Sequence, residues 1–319
     1  MAIIFLINFL FPGFNPLGRG YGLGLGPSNY QFSDYSTLIG TEFPFGRYRI
    51  GDYLSLFPIP SIDIYQRLSN LADIALTSDY HLCIRDRGEL IDPEGKKIGE
   101  FTSWYLLEMI TPRLRFNFKI FRYSRLSLSP GISILYNKSW TSGLQNESSE
   151  TRKGYAPSLK GGLWLVNKNK DFQCGLIFSL PQSGVMVDSA YHDTVNIPES
   201  VTLTFRHRIR PFTVEFGYCY QYYREDYQEF PVENFYLSGG YEWDKKAVEL
   251  GISRKNYMPS FYRYQQKYCG IFFGLIYHLR KIDLAVTPFY EFLYERYSPD
   301  EGMRLQYLRY GLRVEVGIY

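Results

Sequence analysis

The chain has 319 residues, with Lys+Arg 35 against Asp+Glu 32, and its net charge of +3 is too small to argue for nucleic acid as a partner. Aromatic residues make up 18% (Tyr 30, Phe 24) and hydrophobic residues 45%, yet mean hydropathy is negative, so apolar positions are diluted by polar ones, as strict alternation would do. No interior stretch reaches the roughly 18 consecutive apolar residues that a spanning helix needs. That excludes a helical membrane protein and leaves open one built from strands, each hiding its apolar face among polar neighbours.

In chain order, residues 1–12 open Met-Ala-Ile-Ile-Phe-Leu-Ile-Asn-Phe-Leu-Phe-Pro. This is an apolar run of export-signal type, without a basic leader or a clear small-residue cleavage site. Residues 13–40 are glycine-rich: Gly18, Gly20, Gly22, Gly24 and Gly26 fall at every second position. Lacking Cβ atoms, such a segment can lie close against other backbone. It reads as a plug, or as a first strand or linker. From residue 41 the chain reads as strands, near 47–57, 61–66, 72–86 and 97–109, with breaks at Pro58, Pro60 and the Asp92-Pro93-Glu94-Gly95 turn.

From Arg113 onward the period of two is plain. Leu114, Phe116, Phe118 and Ile120 share one face, and Arg113, Arg115, Asn117 and Lys119 the other. Phe212, Val214, Phe216, Tyr218 and Tyr220 alternate with Thr213, Glu215, Gly217, Cys219 and Gln221. In the last segment Leu308, Tyr310, Leu312, Val314, Val316 and Ile318 alternate with Arg309, Gly311, Arg313, Glu315 and Gly317. Short links at 122–125, 167–171, 208–211, 243–246 and 279–281 alternate strictly with longer ones at 140–154, 181–199, 224–233, 255–266 and 295–304. In an up-and-down sheet this puts every short turn at one end and every long loop at the other.

That layout, with long strands and aromatic strand ends, points to an all-β, antiparallel transmembrane barrel in a bacterial outer membrane, with about 14 strands and an N-terminal plug. The expected partners are outer-membrane lipid and the barrel-assembly machinery. In lipid a closed sheet satisfies its own backbone. One face then meets hydrocarbon, and the other directs Arg113, Arg115, Lys119, Arg206, Glu215, Glu249, Glu291, Arg309, Arg313 and Glu315 into the lumen. Nearly every short turn is basic: Arg122 and Arg125, Lys168 and Lys170, Arg208 and Arg210, Lys245 and Lys246, Arg280 and Lys281.

Scattered Cys83, Cys174, Cys219 and Cys269, and equally scattered His81, His192, His207 and His278, give no metal-ligand spacing and no catalytic motif. No metal site, cofactor or enzymatic activity is expected. Asp188, Ser189, His192 and Asp193 share one loop and read as ordinary polar loop residues.

The opening Pro-Leu-Gly-Arg-Gly-Tyr-Gly-Leu-Gly resembles the glycine-rich plug of the FadL-type outer-membrane transporters of long-chain fatty acids and other hydrophobic compounds. Ile197-Pro198-Glu199-Ser200-Val201-Thr202-Leu203 is similar to that family's Pro-x-Ser strand start in mid-barrel. The family's Asn-Pro-Ala segment is replaced by Ser36-Thr37-Leu38-Ile39-Gly40, and the terminal aromatic, Tyr319, is out of phase with Ile318, Val316 and Val314. The resemblance implies passive transport of a hydrophobic small molecule, a movable plug, a pocket under the long loops and an exit through a gap in the wall. Tyr257, Met258, Phe261, Tyr262 and Tyr264 could line the pocket or simply anchor the barrel at the interface. The competing expectation is a structural or assembly barrel, associated with secretion or surface attachment, whose lumen is closed by its own charges.

Overall fold

The computed structural model describes residues 35–319 apart from 51–52, 57–58, 144–148, 170, 181, 188–191, 198, 226–227, 258–264 and 298–304. The export-type run, the plug glycines and Met258, Phe261, Tyr262 and Tyr264 of the expected loop pocket lie outside the described residues.

The strands are β1 (Thr37–Ile50), β2 (Tyr53–Leu56), β3 (Ser61–Arg67), β4 (Ala72–Ile91), β5 (Lys97–Phe121), β6 (Ser124–Ser142), β7 (Ser149–Val166), β8 (Phe172–Ser179) and β9 (Gln182–Val187). They continue as β10 (His192–Ile197), β11 (Glu199–Ile209), β12 (Phe212–Glu225), β13 (Gln228–Trp243), β14 (Lys246–Tyr257), β15 (Gln265–His278), β16 (Ile282–Tyr297) and β17 (Leu305–Ile318). β2 and β3 run along the same neighbour, β1, as one interrupted line. So do β8 and β9 along β7, and β10 and β11 carry that line's partners. The result is a closed antiparallel barrel of 14 strands. β1 and β17 close it through a ladder running from Thr37↔Ile318 to Ile50↔Leu305.

The wall begins at Thr37, inside the segment read from sequence as plug, because Thr37–Glu42 already pair on both sides. Two stretches expected as separate strands, 97–109 and 113–120, are the single β5. It passes through Pro112, which stays in register with Leu76. The expected long loop at 181–199 is largely the β9–β10 ladder. The one at 224–233 closes to Glu225↔Gln228. Two-residue turns at Arg122–Tyr123 and Asp244–Lys245 fit the short links. Asp244 takes φ 43°, a region that Asp enters more readily than bulky residues.

Alternation sorts the side chains. On β5 Leu114, Phe116, Phe118 and Ile120 are exposed outward while Thr111, Arg113, Arg115 and Asn117 are buried. The outward apolar run from Ile120 to Ile110 covers about 33 Å along the strand. At the usual tilt that is about 25 Å of height, the band an outer-membrane barrel presents to lipid. It ends where Glu108 pairs with Tyr136 and Tyr136 with Lys153. Above it the β4–β5 hairpin continues to a tip where Lys97 bonds Glu89 at 2.7 Å and Glu100 at 2.5 Å.

Two lines of the wall are broken. β1 keeps one register through its break, since Glu42↔Ser61 and Arg47↔Leu56 lie on the same diagonal. On the other side Leu56↔Leu82 and Asp63↔Thr77 differ by two residues. The line holding Pro58-Ile59-Pro60 therefore carries two more residues than β4 does across the same stretch. The second break falls between Ser179 and Gln182 on one line and between Ile197 and Glu199 on its partner, where the sequence carries Pro181 and Pro198. Prolines have no N–H to donate, so both breaks are written at the covalent level.

Candidate functional site

The inward face has two kinds of lining. Near the short-turn end it is ionic. Arg309 bonds Glu42 and, at 3.2 Å, Glu291. Arg313 reaches Asp63 at 2.7 Å and Glu315 at 3.2 Å. Glu42↔Arg313 and Glu291↔Arg309 are cross-strand pairs, so register alone sets opposite charges side by side. Gly40 leaves the space Arg313 fills, since a Cβ there would sit 2.6 Å from its Nη2. On the next strands Asp73 accepts from Arg115 at 2.6 and 3.0 Å, from Asn117 at 2.7 Å and from Tyr65 at 3.0 Å. Arg206 and Glu215 pair at 3.1 Å. Buried charges in this setting persist only when paired and hydrogen-bonded.

Below this network Tyr35, Leu38, Tyr65, Ala247, Ile276 and Ala285 form an apolar layer at the short-turn mouth. Asp283 Oδ2 accepts from the hydroxyls of Tyr35 and Tyr319, each at 2.6 Å, and lies 3.0 Å from His278 Nδ1. Tyr319 thus reaches a buried carboxylate on the lumen side, in agreement with its phase.

The second lining is aromatic. Trp164, Ile177, Cys219, Tyr236, Phe272 and Phe289 form one buried cluster on the inward face. Each of three rings lies over a glycine of the next strand: Trp164↔Gly175, Phe272↔Gly251 and Phe289↔Gly311 are register partners. A Cβ on Gly251 would fall 1.7 Å from the Phe272 ring, and one on Gly175 2.3 Å from Trp164. Sequence reasoning missed these aromatics. The available signal was parity, because Phe289 shares phase with Asp283 and Glu291, and Tyr236 with Asn234 and Ser238, each opposite a cross-strand glycine.

Of the charges assigned to the lumen, Arg113, Arg115, Arg206, Glu215, Glu249, Arg309, Arg313 and Glu315 are buried, and Glu291 is half-buried beside Arg309. Lys119 is exposed. It stands in the right phase but at the rim, where the ladder slips between Lys119 and Phe121. Tyr257 ends β14 opposite Val232 and Gln266. His192 and Asp193 lie in β10, whereas Asp188 and Ser189 fall outside the described residues. Among the described residues no group of three or more His, Cys, Asp or Glu side chains could hold a metal ion.

A closed antiparallel barrel with an apolar outer band and a polar, partly aromatic interior is an outer-membrane protein. No family model and no curated protein matches the sequence. Solved structures do. A FadL homologue of Pseudomonas aeruginosa aligns with a TM-score of 0.59 at 10% identity over 97% of this chain and 98% of that one. The toluene transporter TodX of Pseudomonas putida gives 0.59 at 9% over 98% and 99%. The toluene transporter TbuX of Ralstonia pickettii gives 0.56 at 7% over 98% and 100%. The chain has the FadL-type barrel fold.

Proposed function

We propose that this barrel passively conducts hydrophobic small molecules across the outer membrane, without catalysis. The observation that carries this reading is the broken wall at Pro58-Ile59-Pro60. A purely structural barrel gains nothing from two residues that take its sheet out of step with β4, whereas a solute leaving sideways needs such an opening. The aromatic cluster of Trp164, Tyr236, Phe272 and Phe289 supports it, as a lining over which an apolar solute keeps its desolvation gain. The solved structures of like fold described as toluene transporters are consistent with it. The four loop aromatics Tyr257, Phe261, Tyr262 and Tyr264, with Met258, would form the outer pocket, and the glycines from Gly18 to Gly26 the plug. The barrel-assembly machinery would insert the chain.

The test is uptake of toluene and of a fatty acid into liposomes bearing the full chain. Uptake above that of protein-free liposomes is expected. It should fall when a cysteine pair, Phe43→Cys with Pro60→Cys, is oxidised to staple the break, and it should return on reduction. No uptake of either solute by correctly folded protein would remove the proposal.

A second reading, a closed structural or assembly barrel, is favoured by one observation. The Arg309, Arg313, Glu42 and Asp63 network ties the adjacent strands β17, β1 and β3, from opposite ends of the chain, into one ionic patch on the inward face. Isolation with a stable protein partner, together with absence of flux, would establish that reading instead.

A further inference from the structure

The basic short turns are not used by the conduit. In outer-membrane barrels the short turns face the periplasm, so these residues form a rim at the inner leaflet. Arg122, Lys168, Arg210, Lys245, Arg280 and Lys281 are exposed there. Among the described residues the acids at the same rim are few. Glu242 is taken by Arg208, Asp283 is buried under two tyrosines, and Asp171 and Asp244 remain. Two of the cations lie over aromatic rings of the rim, Arg122 on Tyr123 at 5.3 Å and Lys246 on Tyr277 at 5.8 Å.

Between two of these turns the surface is hollowed. A groove of about 460 Å³ is lined by Tyr123, Leu165, Val166, Asn167, Lys168 and Phe172. Its floor is outward apolar wall, with Leu165 exposed to lipid and Phe172 held edge-on to Phe205 at 5.2 Å. Its lip is cationic, with Lys168 in the groove and Arg122 beside Tyr123.

We propose that this groove is a binding site for an anionic phospholipid of the periplasmic leaflet, with the phosphate between Lys168 and Arg122 and an acyl chain along Tyr123, Leu165 and Phe172. Apolar floor and cationic lip meet at the height where such a molecule changes from tail to headgroup. A soluble acidic partner would use the charge but leave the apolar floor bare, and a zwitterionic lipid would use the floor but not the excess charge. The basic turns around the rest of the rim add a general attraction of the same sign.

The experiment is native mass spectrometry of the full chain released from bilayers of phosphatidylethanolamine and phosphatidylglycerol in equal parts. Phosphatidylglycerol should be retained about thirtyfold over phosphatidylethanolamine, as two cations near an anionic headgroup imply. Raising the salt should erode that preference. The double variant Arg122→Gln and Lys168→Gln touches only exposed turn residues, and it should bring retention to near parity with unchanged thermal unfolding and unchanged solute uptake. Equal retention of both lipids by the natural chain, or a preference indifferent to salt and to the double variant, overturns the proposal. Should the variant misfold, the salt series on the natural chain decides alone.

Discussion

The β5–β6 and β15–β16 hairpins are both antiparallel pairs of one barrel, yet they line the lumen in different proportions. β5 and β6 turn Thr111, Arg113, Arg115, Asn117, Ser127, Ser129, Ser133 and Asn137 inward, with Tyr105, Met109 and Leu135 among them. β15 and β16 turn Tyr268, Phe272, Ile276, Ala285 and Phe289 inward, with Asp283 and Thr287 between them. Polar lining is held by other lining, as where Thr111 Oγ1 meets Ser133 Oγ at 3.0 Å. Aromatic lining is held by the absence of side chains, since Phe272 and Phe289 rest on Gly251 and Gly311. The first kind fails when a partner is lost, the second when an atom is added.

The sharpest way to break this contrast is Asp73→Leu. It leaves the Arg115 guanidinium, whose side chain is 1% exposed, without its carboxylate and strips Tyr65 and Asn117 of an acceptor. A loss of about 3–5 kcal/mol is expected in denaturant unfolding of the detergent-solubilised barrel. Adding Arg115→Met should recover much of it; a single variant as stable as the natural chain would contradict the partner rule. Next comes Gly251→Val, where the new side chain occupies the space of the Phe272 ring. Displacing the ring should cost about 1–3 kcal/mol and alter the near-ultraviolet dichroism. Recovery on adding Phe272→Ala would tie the cost to that ring. Thr111→Val is smaller still. It removes one hydrogen bond to Ser133 and should cost about 1 kcal/mol, against no change for Thr37→Val at the exposed bond to Gln66.

The smallest effect lies outside both linings, at the exposed β4–β5 tip above the apolar band. The hydrogen bond from Lys97, with its charge, holds the Glu100 carboxyl below the usual glutamate value. Hydrogen bonds to Glu100 and Glu89 hold the Lys97 ammonium above the usual lysine value. The carboxylate contribution is therefore complete above the ordinary glutamate pKa and disappears as pH falls through the lowered one. The lysine contribution is complete below the ordinary lysine pKa and disappears as pH rises through the raised one. Amide exchange at the tip, corrected for intrinsic rates, should be flat between about pH 5 and 9 and accelerate on either side. Acceleration on neither side would show the ion pairs to be inert.

The architecture was legible because lipid outside and polar groups inside impose a period of two that local residues must obey. β12 from Phe212 to Tyr222 and β17 from Leu308 to Ile318 show it. The merger of 97–109 with 113–120 was not legible, because Pro112 reads as a stop although its missing N–H is tolerated at that point of the ladder. The β9–β10 ladder was hidden for the reverse reason, since Pro181 and Pro198 bracket a polar stretch that resembles a loop. Within the lumen, Arg309 and Arg313 could be placed by phase, but their partners Glu42 and Asp63 lie some 250 or more positions away. Only closure of the sheet brings them together. Phe272 and Phe289 were overlooked because an aromatic on a polar face signals only when its glycine partner across the strand is known.

The seam between β1 and β17 has a consequence for biogenesis. Its fourteen residue pairs join stretches about as distant in sequence as the chain allows, so no part of it can form until the final strand has left the ribosome and entered the membrane. Every other hairpin can zip to a neighbour already made, and the loop-closure entropy of the whole cylinder falls on this last joint. The hydrogen bond from Ser36 N–H to Ile318 carbonyl, 2.7 Å, then leaves the first and last residues of the wall adjacent. A rearranged gene that fuses them through a short linker and starts the chain within residues 144–148 should yield the same cylinder with its slowest joint moved to β6 and β7.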